Sequence, residues 1–151
     1  MEFSKIEDAM RQALLLAEKK NVFFAAVLLS QDGEIVMEAV NSSADDGPVA
    51  HAEMNLLAKA GKKWGKLPNH ILVTTGEPCP MCMSAAIWSR IPSIYYGISI
   101  TAMSQHIDQI DLSSYTLADH AFYKPTVYAG VLAEDCLKRF QAWYESINKQ
   151  H

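Results

Sequence analysis

The stretch HILVTTGEPCPMCMSAAIWSRIPSIYYGIS, residues 70–99, decides the fold because it reads as a strand, a helix and a second strand. The first strand is expected over 70–75, and the helix begins at a proline and ends before Pro92. The second strand is expected over 93–99. Two strands joined through a helix run parallel, so this unit predicts a parallel pair inside a larger sheet.

The remaining sequence is expected to supply three more strands and the helices that cover the sheet. Strands are predicted over 23–29, 34–40 and 126–132, and helices are predicted from a capping box at 4–7, over about 49–61, within 101–124 and over 134–149. The strands at 23–29 and 34–40 should pair as a hairpin, with a polar loop at 41–49 after them. This order predicts the α/β class, as a three-layer α/β/α sandwich with a mixed five-stranded sheet in one domain over residues 1–151.

Composition restricts the classes of function. The chain has 151 residues, half of them hydrophobic, and a formal net charge of −4. An acidic chain disfavours a broad nucleic-acid surface, and the only basic run is formed by Lys59, Lys62, Lys63 and Lys66. Neither a signal peptide nor a membrane-length apolar segment is visible, so we expect a cytoplasmic protein without a membrane partner. Three cysteines, two of them in a Cys-x-x-Cys, favour metal binding or redox chemistry over a disulfide framework.

Two short segments carry residues suited to a catalytic metal. His51, Cys79 and Cys82 supply the three ligands that a catalytic zinc takes while its fourth position stays open for water. Zinc lowers the pKa of that water, and Glu53 is then the expected proton carrier. Cys79 and Cys82 lie three residues apart and can share a metal from the first turn of a helix, where the helix dipole favours thiolates.

The combination of the two segments is more specific than either alone. Cys-x-x-Cys also occurs in redox motifs and structural zinc sites, and an acid in a first helical turn is common. However, His-x-Glu followed after 24 residues (54–77) by Pro-Cys-x-x-Cys is the pattern of zinc deaminases. A structural zinc module would need no proton carrier, and a thiol-redox role would leave His51 and Glu53 unexplained.

Four segments resemble the cytidine and deoxycytidylate deaminase superfamily, in particular the branch that holds bacterial guanine deaminase and the tRNA-specific adenosine deaminases: FAAV at 24–27, VAHAE at 49–53, TTGEPCPMC at 74–82 and AAIWSR at 85–90. The resemblance implies that His51, Cys79 and Cys82 bind zinc and that Glu53 moves protons. It also implies that an asparagine after the second strand, Asn41, hydrogen-bonds the base.

Other residues are assigned to substrate by position in that branch. Ala52 and Trp88 are expected to contact the base, and Asp108 matches an acid that assists guanine chemistry. Either Glu134 or Asp135 could supply another acid. The ending FQAW, 140–143, is similar to a C-terminal segment that closes over the guanine site, in some members by exchange between subunits.

These features predict a zinc-dependent aminohydrolase that converts guanine to xanthine and ammonia. The alternatives are a tRNA-specific adenosine deaminase, a cytosine or cytidine deaminase, and a zinc module without turnover. We expect a small-molecule nucleobase or nucleoside as partner, no nucleic acid, and a homodimer, since several helix faces carry Met and Trp.

Overall fold

The computed structural model describes residues 2–149. The strands are β1 (Ala25–Ser30), β2 (Ile35–Val40), β3 (His70–Gly76), β4 (Ser93–Ile98) and β5 (Thr126–Tyr128). The helices are α1 (Phe3–Lys19), α2 (Ser43–Asp46), α3 (Ala52–Trp64), α4 (Pro80–Trp88), α5 (Ile100–Ser104), α6 (Ser114–Asp119) and α7 (Ala133–Asn148). No helix within residues 2–149 is long and apolar enough to cross a bilayer.

The five strands form one mixed sheet in the order β2-β1-β3-β4-β5. β1 is antiparallel to both β2 and β3, whereas β3, β4 and β5 run parallel. The hairpin of β1 and β2 and the parallel pair of β3 and β4 were both predicted. The carboxyl ends of the parallel strands meet at one edge, where open α/β sheets place their ligand sites.

Two apolar layers sandwich this sheet, as predicted. On one face α1 and α7 pack around Phe23, Met10 and Phe140. On the other face α3 and α4 pack around Leu56 and Met83. Contact between α7 and the sheet depends on a glycine in β4, since a Cβ at Gly97 would collide with the Cys136 side chain and lie 2.7 Å from the Thr75 carbonyl oxygen.

Some element boundaries differ from those predicted. The capping box was wrong: Ser4 lies inside α1, and the extended Glu2 is the N-cap because its carbonyl accepts the Lys5 N–H at 3.1 Å. The polar loop contains the short α2, and the region 101–124 contains two short helices rather than one. β5 ends at Tyr128 because the chain turns at Gly130, which has a positive φ of 78°.

Candidate metal centre and active site

The three candidate ligands lie at the starts of two helices. His51 immediately precedes α3 and Cys79 immediately precedes α4, both with extended backbone. Each carbonyl accepts the first hydrogen bond of its helix, from Asn55 at 2.9 Å and from Met83 at 2.8 Å. Cys82 follows in the first turn of α4. The structure therefore brings two helix N-termini together, which is the arrangement that the spacing predicted.

The ligand atoms have the spacing that zinc requires. Nδ1 of His51 lies 3.6 Å from Sγ of Cys79 and 3.5 Å from Sγ of Cys82, and all three atoms lie within 4.8 Å of one another. Tetrahedral zinc with bonds of about 2.0–2.1 Å to nitrogen and about 2.3 Å to sulfur separates those two atoms by about 3.5 Å. All three cysteines are free thiols. Two sulfurs and one imidazole nitrogen at these distances fit a catalytic zinc site.

Local electrostatics favours a cation between the ligands. A hydrogen bond from the Cys82 thiol lowers the pKa of Cys79 to about 4, and the same pairing raises the pKa of Cys82. The hydrogen bond to Cys79 raises the pKa of His51. A bound cation would replace the protons on these groups and favour two thiolates and a neutral imidazole.

Glu53 lies in the first turn of α3, two residues after His51, and is only 5% exposed. Burial raises the pKa of its carboxyl group to about 7. The carboxyl group is not part of the three-residue ligand cluster. It therefore lies beside the metal centre as a carboxyl group that can exist in either protonation state near neutral pH.

A cavity of about 180 Å³ opens next to these residues. It is lined by Phe24, Asn41, His51, Glu53, Glu77, Cys79, Ile107, Asp108 and Gln109. Two of the residues assigned to substrate, Asn41 and Asp108, thus share one cavity with the metal ligands and Glu53. The arrangement can hold a small planar molecule against the metal centre.

Asn41 presents a defined polarity to this cavity. Its Oδ1 accepts hydrogen bonds from the Ser43 backbone N–H at 2.9 Å and from the Ser43 hydroxyl at 2.7 Å. Because a backbone N–H can only donate, these bonds identify the oxygen of the amide. The NH₂ group of Asn41 therefore remains available as a donor.

Other residues assigned to substrate lie elsewhere. Trp88 is 70% exposed at the end of α4 and packs against Phe122, with ring centroids 4.8 Å apart, and it does not line the cavity. The Ala52 side chain is fully buried among α3 and sheet residues. Glu134 and Asp135 lie in the first turn of α7, and neither lines the cavity, so no choice between them is supported.

The C-terminal segment approaches the site at one residue. Phe140 is 1% exposed and belongs to the core. Trp143 contacts Phe24, a cavity residue, in an edge-to-face arrangement with ring centroids 5.9 Å apart. Trp143, Phe24, Asn41 and Ile107 also line an adjoining cleft of about 620 Å³. Within a single chain, α7 thus borders the mouth of the cavity.

Glu77 is the principal residue that the sequence interpretation missed. It is 5% exposed, lines the cavity, and its two carboxylate oxygens accept three hydrogen bonds. The available signal was an acid at the end of a buried strand, directly before the Pro-Cys pair. Phe24, Ile107 and Gln109 were also not assigned to the cavity.

Three related proteins are similar in sequence to this chain over most of its length. A guanine deaminase of Bacillus subtilis is 35% identical over 132 residues, covering 84% of this chain and 83% of its own length. A tRNA-specific adenosine deaminase of the same organism is 30% identical, covering 96% and 89%. A tRNA(Ile)-lysidine synthase of Deinococcus radiodurans is 37% identical over 149 residues, but the chain spans only 25% of that protein's length.

A structural superposition and a family match are consistent with these sequence similarities. The solved guanine deaminase of Nitrosomonas europaea superposes with a TM-score of 0.80 at 22% identity, covering 92% of this chain and 84% of that one, a likeness of fold. The cytidine and deoxycytidylate deaminase zinc-binding region matches residues 3–98, which include His51, Cys79 and Cys82. The chain therefore belongs to the cytidine and deoxycytidylate deaminase family, with zinc as its metal.

Proposed function

We propose that this chain is a zinc-dependent guanine deaminase that hydrolyses guanine to xanthine and ammonia. The observation that carries the proposal is the cavity of about 180 Å³, in which Asn41 and Asp108 share the lining with His51, Cys79 and Glu53. Drug-sized ligands occupy sites of about 300–1,000 Å³, so this cavity suits a free base rather than a larger molecule. The similarity to a guanine deaminase over 84% of the chain supports the same substrate.

Hydrolysis adds a water oxygen to C2 of guanine and breaks the bond between C2 and the exocyclic nitrogen, which leaves as ammonia. A zinc ion held by His51, Cys79 and Cys82 would supply a Lewis acid that lowers the pKa of water. The Glu53 carboxylate takes a proton from water and passes protons to the ring nitrogen beside C2 and to the departing amine. Its burial excludes competing solvent from these transfers.

The other polar groups of the cavity orient the base. The free NH₂ group of Asn41 donates toward an acceptor on the purine, such as the carbonyl oxygen or an unprotonated ring nitrogen. The Asp108 carboxylate accepts from an N–H on the purine. Guanine offers both kinds of group, whereas adenine has no carbonyl oxygen. A donor and an acceptor in one cavity are therefore compatible with guanine, and a donor placed at its carbonyl oxygen would distinguish guanine from adenine.

A tRNA-specific adenosine deaminase is the second candidate, because a relative of that name is 30% identical over 96% of this chain. The charge distribution opposes it. The basic run begins midway along α3, and Lys62 lies eleven residues after His51, about 16 Å further along the helix axis. The cleft beside the cavity contains one lysine, Lys20, and one aspartate, Asp45. A phosphate backbone would find few cations near the cavity.

The expected homodimer is part of the proposal, as is a single domain over residues 1–151. The exposed rings of Trp88 and Phe122 form an apolar surface that a second copy could cover. Light scattering of the purified chain tests this point. A monomer at all concentrations would rule out the proposed dimer and would not contradict the proposed chemistry.

A substrate screen tests the proposed activity. Ammonia release should be measured from guanine, adenine, cytosine, their nucleosides and a tRNA with adenosine in its anticodon loop. We expect the highest kcat/KM with guanine. A far higher kcat/KM with the tRNA would identify tRNA rather than guanine as the substrate, and the proposed metal chemistry would still hold.

A further inference from the structure

Residues 105–113, here called the wall segment, connect α5 to α6 and form one side of the cavity through Ile107, Asp108 and Gln109. The start of the segment continues from α5, since the backbone N–H groups of His106 and Ile107 both donate to the Met103 carbonyl at 3.0 Å. Among the described residues 108–113, a single backbone N–H donates to a carbonyl, from Leu112 to Ile110 at 2.8 Å. Asp108 is exposed. From Asp108 onward the position of the backbone therefore depends on the helices that flank the segment, α5 and α6.

One buried side chain binds the first residues of both helices that flank the segment. Oε1 of Glu77 accepts the backbone N–H of Ile100, the first residue of α5, at 2.9 Å. Oε2 accepts the backbone N–H of Ser114, the first residue of α6, at 2.9 Å, and the Ser114 hydroxyl at 2.6 Å. First-turn N–H groups have no partner inside their own helix, so a carboxylate that accepts from two helices satisfies donors at both.

Glu77 is also tied to the metal side of the cavity. Its backbone N–H donates to the Ile98 carbonyl at 2.8 Å, which fixes it at the ends of β3 and β4. Only Pro78 separates it from Cys79. The same residue thus connects a metal ligand, through its backbone, with the first residues of the two helices that flank the wall segment, through its side chain.

We propose that Glu77 is a positioning residue that holds the wall segment, and with it Asp108, at a set distance from the metal centre. It touches no reacting atom in this role and acts through Ile100 and Ser114. The consequence for substrate binding rests on the proposed deamination of guanine, whereas the consequence for the wall does not. Two measurements therefore test these two consequences separately.

The first measurement is amide hydrogen exchange on the zinc-loaded protein, which needs no substrate. Glu77→Gln loses one acceptor oxygen, so the hydrogen-bonded amides of Ile100, Leu112 and Ser114 should exchange about tenfold faster or more, while those of β1 and β3 stay unchanged. Ser114→Ala removes one of the three hydrogen bonds and should give the same pattern at smaller amplitude. That variant keeps the test decisive if Glu77→Gln does not fold.

Matched controls weaken the same helix starts without touching Glu77. Ser99→Ala removes the side-chain cap of α5, which accepts from Ala102 at 3.1 Å, and Ser113→Ala removes the cap of α6, which accepts from Thr116 at 3.1 Å. Each should speed exchange only in its own helix. Equal acceleration across the wall segment in these controls, or none in Glu77→Gln and Ser114→Ala, would overturn the proposal.

The second measurement is a double-mutant cycle on guanine turnover. Glu77→Gln should raise KM about tenfold with kcat within about threefold and zinc content unchanged, because it displaces a binding wall rather than the reacting centre. In combination with Asp108→Ala it should add little, since both changes remove the same contact. Fully additive effects on KM would contradict positioning through Asp108. If guanine is not turned over at all, the proposed function fails while the exchange result still decides the role of Glu77.

Discussion

On its metal side the cavity is bounded by two helix starts, whereas on the opposite side it is bounded by the wall segment, which lacks regular structure over most of its length. Cys82 is fully buried and Glu53 is 5% exposed, but Asp108 is exposed. The metal side is set by hydrogen bonds within α3 and α4. The wall depends on a carboxylate 23 and 37 residues away from its partners.

This difference separates the chemistry of the site from its choice of substrate. Ligands held by helix starts keep one geometry across many sequences, because the helix itself places them. A loop held at its ends can change length and side chains without disturbing the metal. We therefore expect the reaction class to depend on the metal side, and the choice of substrate to depend on the wall and on Asn41.

The largest effect is expected from loss of a ligand. Cys79→Ala should lower bound zinc from about one equivalent to below about a tenth and abolish turnover, because two protein ligands hold zinc far less well than three. Metal analysis after purification without chelator measures this. Cys136→Ala is the matched control, since Cys136 is buried on the other face of the sheet. Full zinc occupancy in Cys79→Ala would show that the metal is bound elsewhere.

The next effect tests the proton carrier on the same side. Glu53→Gln should reduce kcat by about 10²–10⁴-fold at unchanged zinc content, because an amide keeps the shape of the side chain but cannot accept and release a proton. Glu34→Gln, at an exposed site, should leave kcat unchanged. Activity of Glu53→Gln within a few-fold of the original protein would assign proton transfer to another group.

A smaller effect is expected at Asn41, which we propose to hydrogen-bond the base. Asn41→Asp keeps an oxygen that accepts from Ser43 but replaces the donor with a second acceptor, so KM for guanine should rise about tenfold or more. Ser43→Ala loses one bond to Asn41 and keeps the donor, so its KM should stay within about threefold. Steady-state kinetics of both variants decide whether the donor matters, and an unchanged KM in Asn41→Asp would argue that it does not.

The metal side could be predicted from the sequence because its geometry is local. Three-residue spacing places Cys79 and Cys82 on one side of a helical turn, and a proline after Cys79 marks where that helix begins. The alternation of strands and helices likewise predicted the mixed sheet and both covering layers. The individual elements depend on residues a few positions apart, whereas the pairing of His51 with the two cysteines depended on the match to the zinc-deaminase pattern.

The opposite wall could not be predicted in the same way. Glu77 reads as part of the motif around Cys79, and its partners Ile100 and Ser114 carry no sequence signal of their pairing. The acid predicted in α7 also depends on tertiary packing: α7 packs its apolar face on the sheet around Phe140, and neither Glu134 nor Asp135 lines the cavity. Tertiary packing decided both outcomes.

Trp88, which was expected to contact the base, and Trp143, in the segment expected to close over the site, give the smallest expected effects, and these should differ. Trp143 packs edge-to-face against Phe24, a cavity residue, so Trp143→Leu should let that ring shift and raise KM a few-fold. Trp88 is 70% exposed, packs against Phe122 and does not line the cavity, so Trp88→Leu should change kcat/KM by no more than about twofold. Single substitutions are the sharper test, because truncation from Phe140 onward would also remove a ring that is 1% exposed in the core. Kinetics of both variants should be paired with light scattering. If Trp88→Leu lowers kcat/KM more than Trp143→Leu without changing the oligomeric state, the placement of substrate beside Phe24 is wrong.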